Sequence, residues 1–391
     1  MQKSENRGQE MLLKNLREDF LPVSRPHATH EEIDAVAAVL KSGWWTTGPK
    51  TAEFEKEIAA YIGGGISGAA LSSCTAGLHL ALLALGVGAG DEVIVPTMTF
   101  AATAQVVDWV GAKLVLCDIE EDTLNIDAAK AEKLITKKTK VIIPVHMGGY
   151  PCDMAAIGAL AKRHGLKVIE DAAHAIGTEY NGKKIGNFSD ITVFSFYATK
   201  NLAMGEGGMA VSKDRSLIDK IKKLGYFGIN KEAFKRYEKS GSWFYDIEEK
   251  GYKYNLDDLH SVIGLTQLRK LDSMNDRRRE IAKLYRQKLI RPVKFLKDSK
   301  EHRHTYHLFQ IKVPGRDALI TALKERNIGT SVHFIPIHMH SFYKGRFPGK
   351  SFPAANKAFS EILSIPMFSS MTDEDVDYVA ANLNDILKAS V

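Results

Sequence analysis

Cysteine is scarce: the 391 residues hold only Cys74, Cys117 and Cys152, at spacings that match no metal site. Three thiols cannot all pair, so a disulfide scaffold is excluded and a reducing compartment, the cytoplasm, is expected. A strong charge of one sign is also missing. Lys and Arg number 53 against 47 Asp and Glu, a net +6 with no basic tail. The densest basic run, DRRRE from Asp276 to Glu280, alternates with acids on a helical pattern. It is expected to be a solvated helix face, and no nucleic-acid partner is expected. The opening stretch MQKSENRGQEMLLKNLRED is polar and lacks an apolar core segment, so no signal peptide is expected.

One uncharged run, Gly68 to Gly90, is long enough on paper to cross a bilayer. It contains five glycines, two serines, Thr75 and His79, and divides into GAALSS and TAGLHLALLALG. A buried strand and helix are expected there, and no membrane span. Nucleotide loops are absent too. The Gly63 to Gly65 triplet has no Lys-Ser/Thr after it and fits a helix C-cap and turn. A Rossmann oxidoreductase would carry Gly-x-Gly-x-x-Gly after its first strand and an acid about 20 residues on, and SSCTAG is no such loop.

What is present is alternation. Two helical patterns, EEIDAVAAVLKSG and TAEFEKEIAAYIG, precede the short apolar runs GAALSS, DEVIVP, KLVLCDI, KVIIPVH, LKVIED and ITVFSF. Amphipathic segments such as AATAQVVDWVG and DMAAIGALAKRHG lie between them. Nearly all-apolar strands separated by helices predict a mostly parallel sheet covered on both faces, an α/β domain over roughly the first 230 residues. Residues 232 to 252 are then charged and aromatic. The helical tract DLHSVIGLTQLRKLDSMNDRRREIAKLYRQKL follows, with strand-like HTYHLFQIKV and SVHFIP, a helix RDALITALKERN and a final helix from Asp373. These predict a smaller α+β domain.

Ligands of open α/β sheets gather at the carboxyl ends of strands. Four such ends carry chemistry. Ser72 to Thr75 close GAALSS and Ala76-Gly77 open a helix, which suits either a plain N-cap or a phosphate at the positive helix end. VIEDAAHAIG ends a strand on Glu170-Asp171 with His174 close behind; Asp171 could bind a metal, act as a base, hold a protonated ring nitrogen, or be a surface turn acid. Thr97, Thr99 and Phe100 follow DEVIVP, and Phe100 could cover a flat cofactor or join the core. Lys200 follows ITVFSF in SFYATKNLAMGEGGM, where burial would turn a surface-type lysine into an amine nucleophile. Together the four describe a pyridoxal-phosphate site: Lys200 for the Schiff base, Asp171 for the ring nitrogen, Thr75-Ala76 for the phosphate. The glycines of Glu206-Gly207-Gly208 would let the backbone fold close beside the cofactor, with the part of Glu206 open.

The segments SGWWTTGPKTAEFE, SSCTAGLHLAL, DEVIVPTMTFAATA, IEDAAHAIGTEYNGKKIGNFSDITVFSFYATKNLAMGEGGM and GYKYNLDDLHSVIGLTQLRKL resemble the DegT type of sugar-nucleotide aminotransferases, in order from about Leu21 onward. The resemblance implies the aspartate aminotransferase fold (fold type I), a large mostly parallel-sheet domain plus a smaller C-terminal α+β domain. The expected division is a lead-in over residues 1–30, a large cofactor-binding domain over 31–250, and a long helix with the small domain over 251–391. It implies a homodimer with shared active sites that moves an amino group from L-glutamate onto a keto sugar carried on a nucleoside diphosphate. Lys200 would form the Schiff base and shuttle the proton, Asp171 would pair with the ring nitrogen, and His174 would lie near the ring. Phe100 stands where the family stacks an aromatic, Cys74 lies on the cofactor wall, and Thr75, Ala76 and Ser195 would hold the phosphate. Asn255 matches an asparagine that reaches the neighbouring subunit's cofactor. Trp45, Thr47, Tyr252, Lys253 and His333 match segments that line the sugar side.

Within the family the chain looks most similar to enzymes making UDP-4-amino-4-deoxy-L-arabinose and to relatives acting on 4-keto-6-deoxyhexoses. A UDP-linked 4-keto pentose or 4-keto-6-deoxyhexose is therefore the expected substrate, for surface polysaccharide synthesis. Alternatives are amination at C3 and a non-catalytic binding protein on the same fold. Lys200 argues against relatives that carry histidine there and act as dehydratases. Cys74, Phe100 and Tyr197 depart from the alanine, tryptophan and histidine common in that subgroup, and they touch cofactor and substrate walls without altering the reaction type.

Overall fold

Alternating apolar runs and amphipathic segments build a three-layer structure because each strand buries both faces under helices. A computed structural model describes residues 16–229 and 244–389. The lead-in as far as residue 15 and the charged, aromatic stretch from 232 as far as residue 243 lie outside the described residues. The first helices among the described residues are α1 (His30–Ser42) and α2 (Pro49–Ile62), and the Gly63 to Gly65 triplet caps and turns the second at positive φ.

The uncharged run becomes β1 (Ser67–Leu71) and α3 (Cys74–Ala84). Then follow β2 (Glu92–Pro96), α4 (Ala101–Trp109), β3 (Lys113–Cys117), α5 (Ala128–Glu132), β4 (Thr139–Ile142), α6 (Met154–His164) and β5 (Lys167–Asp171). A small ribbon, β6 (Glu179–Tyr180) and β7 (Lys183–Lys184), leads to β8 (Ile191–Ser195), β9 (Gly208–Ser212) and α7 (Arg215–Leu224). The seven-stranded order is β1-β9-β8-β5-β4-β2-β3. Only β9 runs antiparallel to its neighbours, so β1, β2, β5 and β8 point the same way and their carboxyl ends share one edge. Alternate side chains serve opposite faces. Val93 and Val95 join a core with Leu78, Leu80, Ile218 and Ile221, whereas Ile94 faces a core with Phe54, Ile58, Ile157 and Leu271. Among the described residues no helix is long and apolar enough to cross a membrane.

The long helix α8 (Asp258–Lys288) carries the chain to the second lobe. There β10 (Lys294–Phe295), β12 (Phe309–Lys312) and β13 (Ile362–Ile365) form an antiparallel sheet, while β11 (His302–Arg303) joins the β6–β7 ribbon of the large lobe. Helices α9 (Arg316–Glu325), α10 (Pro353–Glu361) and α11 (Asp373–Ala389) complete the chain. Tyr285, Phe309, Leu323, Leu363 and Leu383 form this lobe's core, and Leu21 of the lead-in joins them through a parallel bridge to Ile328.

Three expectations change. HTYHLFQIKV extends only over Phe309–Lys312, because Tyr306 sits at φ 44°, a left-handed conformation that breaks an extended strand. SVHFIP is not a strand: only Ser331 bridges to Ser364, after which the His333 ring bonds the Ser364 hydroxyl and the chain leaves the sheet edge. In DRRRE, Arg277 and Arg279 pair with surface acids, but Arg278 is buried with its guanidinium on the Met367 carbonyl. Burial pushes its pKa down to about 10.

Candidate active site

The lysine of the GEGGM segment sits in a turn just beyond β8, its backbone N–H donating to the Tyr197 carbonyl at 2.8 Å. Its side chain is half-buried by area, yet the protein closing around the amine desolvates it. That desolvation pulls the pKa down to about 8, against the opposing pull of Cys74 and Asp171. Among the described residues none accepts a hydrogen bond from the Lys200 amine.

Asp171 ends β5 and is buried. Thr103 of α4 donates to its Oδ2 at 2.8 Å, the Ala173 N–H to its Oδ1 at 3.1 Å, and the Cys74 thiol lies 3.9 Å from Oδ1. Burial pushes the carboxyl upward, opposed by those bonds and by Lys200. The surface-acid alternative is therefore excluded. His174 is also buried, and its Nδ1 accepts from the Gly148 N–H at 3.3 Å, which places the proton on Nε2. Burial holds it well below the usual histidine range, so the ring is neutral. It lies 4.3 Å from the His307 ring and stacks at 6.0 Å on Phe334. His333 joins the same cleft, pushed down to about 4 by burial and then by Lys200.

Opposite this group, α3 begins. Ser73 is the N-cap and accepts from the Ala76 N–H at 3.0 Å, so Ala76 has spent its donor on the cap. The N–H groups of Cys74 and Thr75 have no intrahelical acceptor. Ser195 closes β8 opposite Gly208, and Gly208 also faces Leu71 of β1, which brings the Ser195 hydroxyl across from the helix start. A Cβ on Gly208 would lie 2.4 Å from the Ser73 carbonyl carbon and 2.5 Å from the Cys74 nitrogen. Only glycine lets β9 approach so closely. Phe100 is 60% exposed and 5.8 Å from Phe334, so it opens toward the cleft and is no core residue. Glu206 is one of the charges that raise His260, after Asp257.

The remaining sequence-selected residues form a second group. Asn255 bridges Leu71, donates to Thr47 through Nδ2 and accepts from the Lys253 amine. The Thr47 hydroxyl donates to the Leu256 carbonyl. Tyr252 stacks on Tyr254 at 5.3 Å, and Trp45 stands 56% exposed. No described contact joins this group to Lys200 or Asp171. Sequence reading missed Thr103, Asn201, His307 and Phe334. Thr103 is one of three polar residues of α4, with Gln105 and Asp108, so nothing local singled it out, and no signal marked the others.

These residues fit pyridoxal phosphate: an acid at a strand end for a ring nitrogen, a lone desolvated amine, and free helix N–H groups beside a hydroxyl, with the backbone drawn in at Gly208. A model of the DegT/DnrJ/EryC1/StrS aminotransferase family matches residues 26–384. The spore coat polysaccharide biosynthesis protein SpsC of Bacillus subtilis (strain 168) is 48% identical over 96% of this chain and 99% of its own. The PLP form of the putative sugar aminotransferase Spr1654 from Streptococcus pneumoniae superposes with a TM-score of 0.89 at 33% identity, over 95% of this chain and 100% of that one. DesV of S. venezuelae, solved in complex with a ketimine intermediate, gives 0.85 at 34% identity, over 91% and 94%.

Proposed function

The chain belongs to the DegT/DnrJ/EryC1/StrS aminotransferase family and is a pyridoxal-phosphate-dependent sugar aminotransferase, and from that premise we propose that it aminates a 4-keto sugar carried on a nucleoside diphosphate, with L-glutamate as donor. The carrying observation is the pairing, in one cleft, of the desolvated Lys200 amine with the buried Asp171 carboxyl. When bound, pyridoxal phosphate supplies the electron sink. An amine drawn down to about 8 is neutral in a useful fraction at physiological pH, so Lys200 Nζ can accept a proton from the substrate carbon and return it. Asp171 would keep the ring nitrogen protonated, and neutral His174 would offer its Nε2–H to the bound group. Thr75, Cys74 and Ser195 would hold the phosphate, and Phe100 would cover the ring face.

A UDP-linked 4-keto pentose or 4-keto-6-deoxyhexose is favoured, giving an amino sugar for surface polysaccharide. SpsC carries spore coat polysaccharide biosynthesis in its name, and Helicobacter pylori PseC, 26% identical, is an aminotransferase of pseudoaminic acid biosynthesis. In our reading the enzyme is a homodimer in which Asn255 completes the neighbouring subunit's site, and Trp45, Thr47, Tyr252, Lys253 and His333 line the sugar side. Three buried free thiols suit a reducing compartment, and we assign the reaction to the cytoplasm. The test is incubation of the holoenzyme and glutamate with UDP-, GDP- and dTDP-linked 4-keto and 3-keto sugars, the products identified by mass spectrometry and NMR. A 4-amino sugar with stoichiometric 2-oxoglutarate is expected. Amination only at C3, or from another donor, overturns the assignment.

A further inference from the structure

Immediately after Lys200 comes a buried amide with a complete set of partners. Asn201 Nδ2 donates to Asn275 Oδ1 at 2.7 Å and to the Thr305 carbonyl at 3.1 Å, and its Oδ1 accepts from His307 Nδ1 at 3.0 Å. Asn275, on α8, donates in turn to the Ile176 carbonyl at 3.2 Å. Thr305 continues the path: its hydroxyl donates to the His174 carbonyl at 3.3 Å and meets the Thr178 hydroxyl at 3.0 Å. Asn201, Asn275, Thr305, His307 and Thr178 are all buried. The space is tight, since a Cβ on Gly149 would lie 2.4 Å from Thr305 Oγ1 and one on Gly177 would lie 2.7 Å from Asn275 Nδ2.

Two of the three groups that Asn201 bonds belong to the segment entering the small lobe, and the third belongs to the connecting helix. The donor direction is fixed as well. Asn201 Oδ1 can only accept, so His307 carries its proton on Nδ1 and turns its Nε2 lone pair away from Asn201. Its ring then lies against His174, 4.3 Å between centroids, while the Gly148 N–H fixes the proton of His174 on Nε2. A satisfied buried polar network of this kind has one low-energy arrangement, because any displacement strands a polar group away from water.

We propose that Asn201, His307 and Asn275 are positioning residues that lock the Lys200 turn and the His174 ring to the small lobe, so that the reach of the lysine amine depends on where that lobe sits. All three bond only to protein groups among the described residues. They act through Lys200 and His174, and the proposal rests on the reading of Lys200 as the cofactor lysine.

The test uses the full-length holoprotein and variants Asn201→Ala, His307→Phe and His307→Gln. Four quantities are read: the unfolding temperature of cofactor-free protein, the dissociation constant of pyridoxal phosphate, the pH midpoint of the holoprotein's visible absorbance, and kcat and KM for glutamate. Asn201→Ala and His307→Phe are expected to shift the absorbance midpoint, weaken cofactor binding and lower kcat by about 10 to 100-fold with KM little changed. His307→Gln keeps an N–H that can reach Asn201 and is expected to recover most of the loss. Variants that only unfold earlier, with midpoint, cofactor affinity and kcat unmoved, overturn the proposal, as does a His307→Gln no better than His307→Phe. If Asn201→Ala fails to fold, the two His307 variants decide alone. A Lys200→Ala variant that keeps the wild-type colour would instead defeat the underlying reading of Lys200.

Discussion

The Lys200 group and the Asn255 group were picked out by the same sequence segments, yet they are built differently. Lys200, Asp171, His174 and His333 converge from strand ends and loops into one desolvated cleft, where burial moves the pKa of each. Thr47, Lys253 and Asn255 bond one another at the end of β1, where Asn255 bridges Leu71, and no described contact joins them to Lys200 or Asp171. The first group has the electrostatics of chemistry; the second is a partly exposed polar and aromatic cluster. In our proposal the reacting groups come from one chain, and the asparagine expected at a phosphate has its use in a neighbouring copy.

Several substitutions would break that contrast, taken from the largest effect down. Lys200→Ala is expected to abolish turnover in a coupled 2-oxoglutarate assay while the cofactor-free protein unfolds no earlier, since it loses a desolvated cation. Asp171→Asn keeps the size of the side chain and removes the charge, and is expected to lower kcat by about 10² to 10³-fold with glutamate. Asn255→Ala alone is expected to weaken pyridoxal phosphate binding by about tenfold, the worth of one charge-assisted hydrogen bond. The sharper version mixes inactive Lys200→Ala with Asn255→Ala subunits after dissociation. Shared sites regain activity in the mixed dimer, and sites complete in one chain do not.

The smallest effect lies away from both groups. Glu32 is a buried carboxylate at the start of α1; burial raises its pKa, but bonds from Lys270, Thr29 and Gln267 outweigh that and bring it to about 2. A carboxylate depressed in the folded state stabilises above its unfolded value of 4.5, and that contribution fades as pH falls toward about 2. Glu32→Gln is expected to cost about 1 kcal/mol at neutral pH. Urea unfolding should show the difference from wild type shrinking across the same acid window.

Much of this was legible in the sequence for a physical reason. Lys200, Asp171 and the helix start at Cys74 stand at the ends of apolar runs, and parallel strands bring such ends to one edge. The close backbone approach expected around Gly208 is present too, against Ser73 and Cys74. What failed was non-local. Tyr306 breaks an apolar, strand-like pattern by a left-handed turn, and Arg278 enters a core because a carbonyl waits there. Thr103, Asn201 and His307 draw their meaning from partners distant in sequence, beyond the reach of spacing.

The central claim is that Lys200 is the cofactor's attachment point, and chemical trapping tests it most directly. Borohydride reduction of the holoenzyme followed by peptide mass mapping is expected to leave a phosphopyridoxyl group on Lys200, within the peptide reading SFYATKNLAMGEGGM. Label on a different lysine, or none on a protein that has bound pyridoxal phosphate, would contradict it.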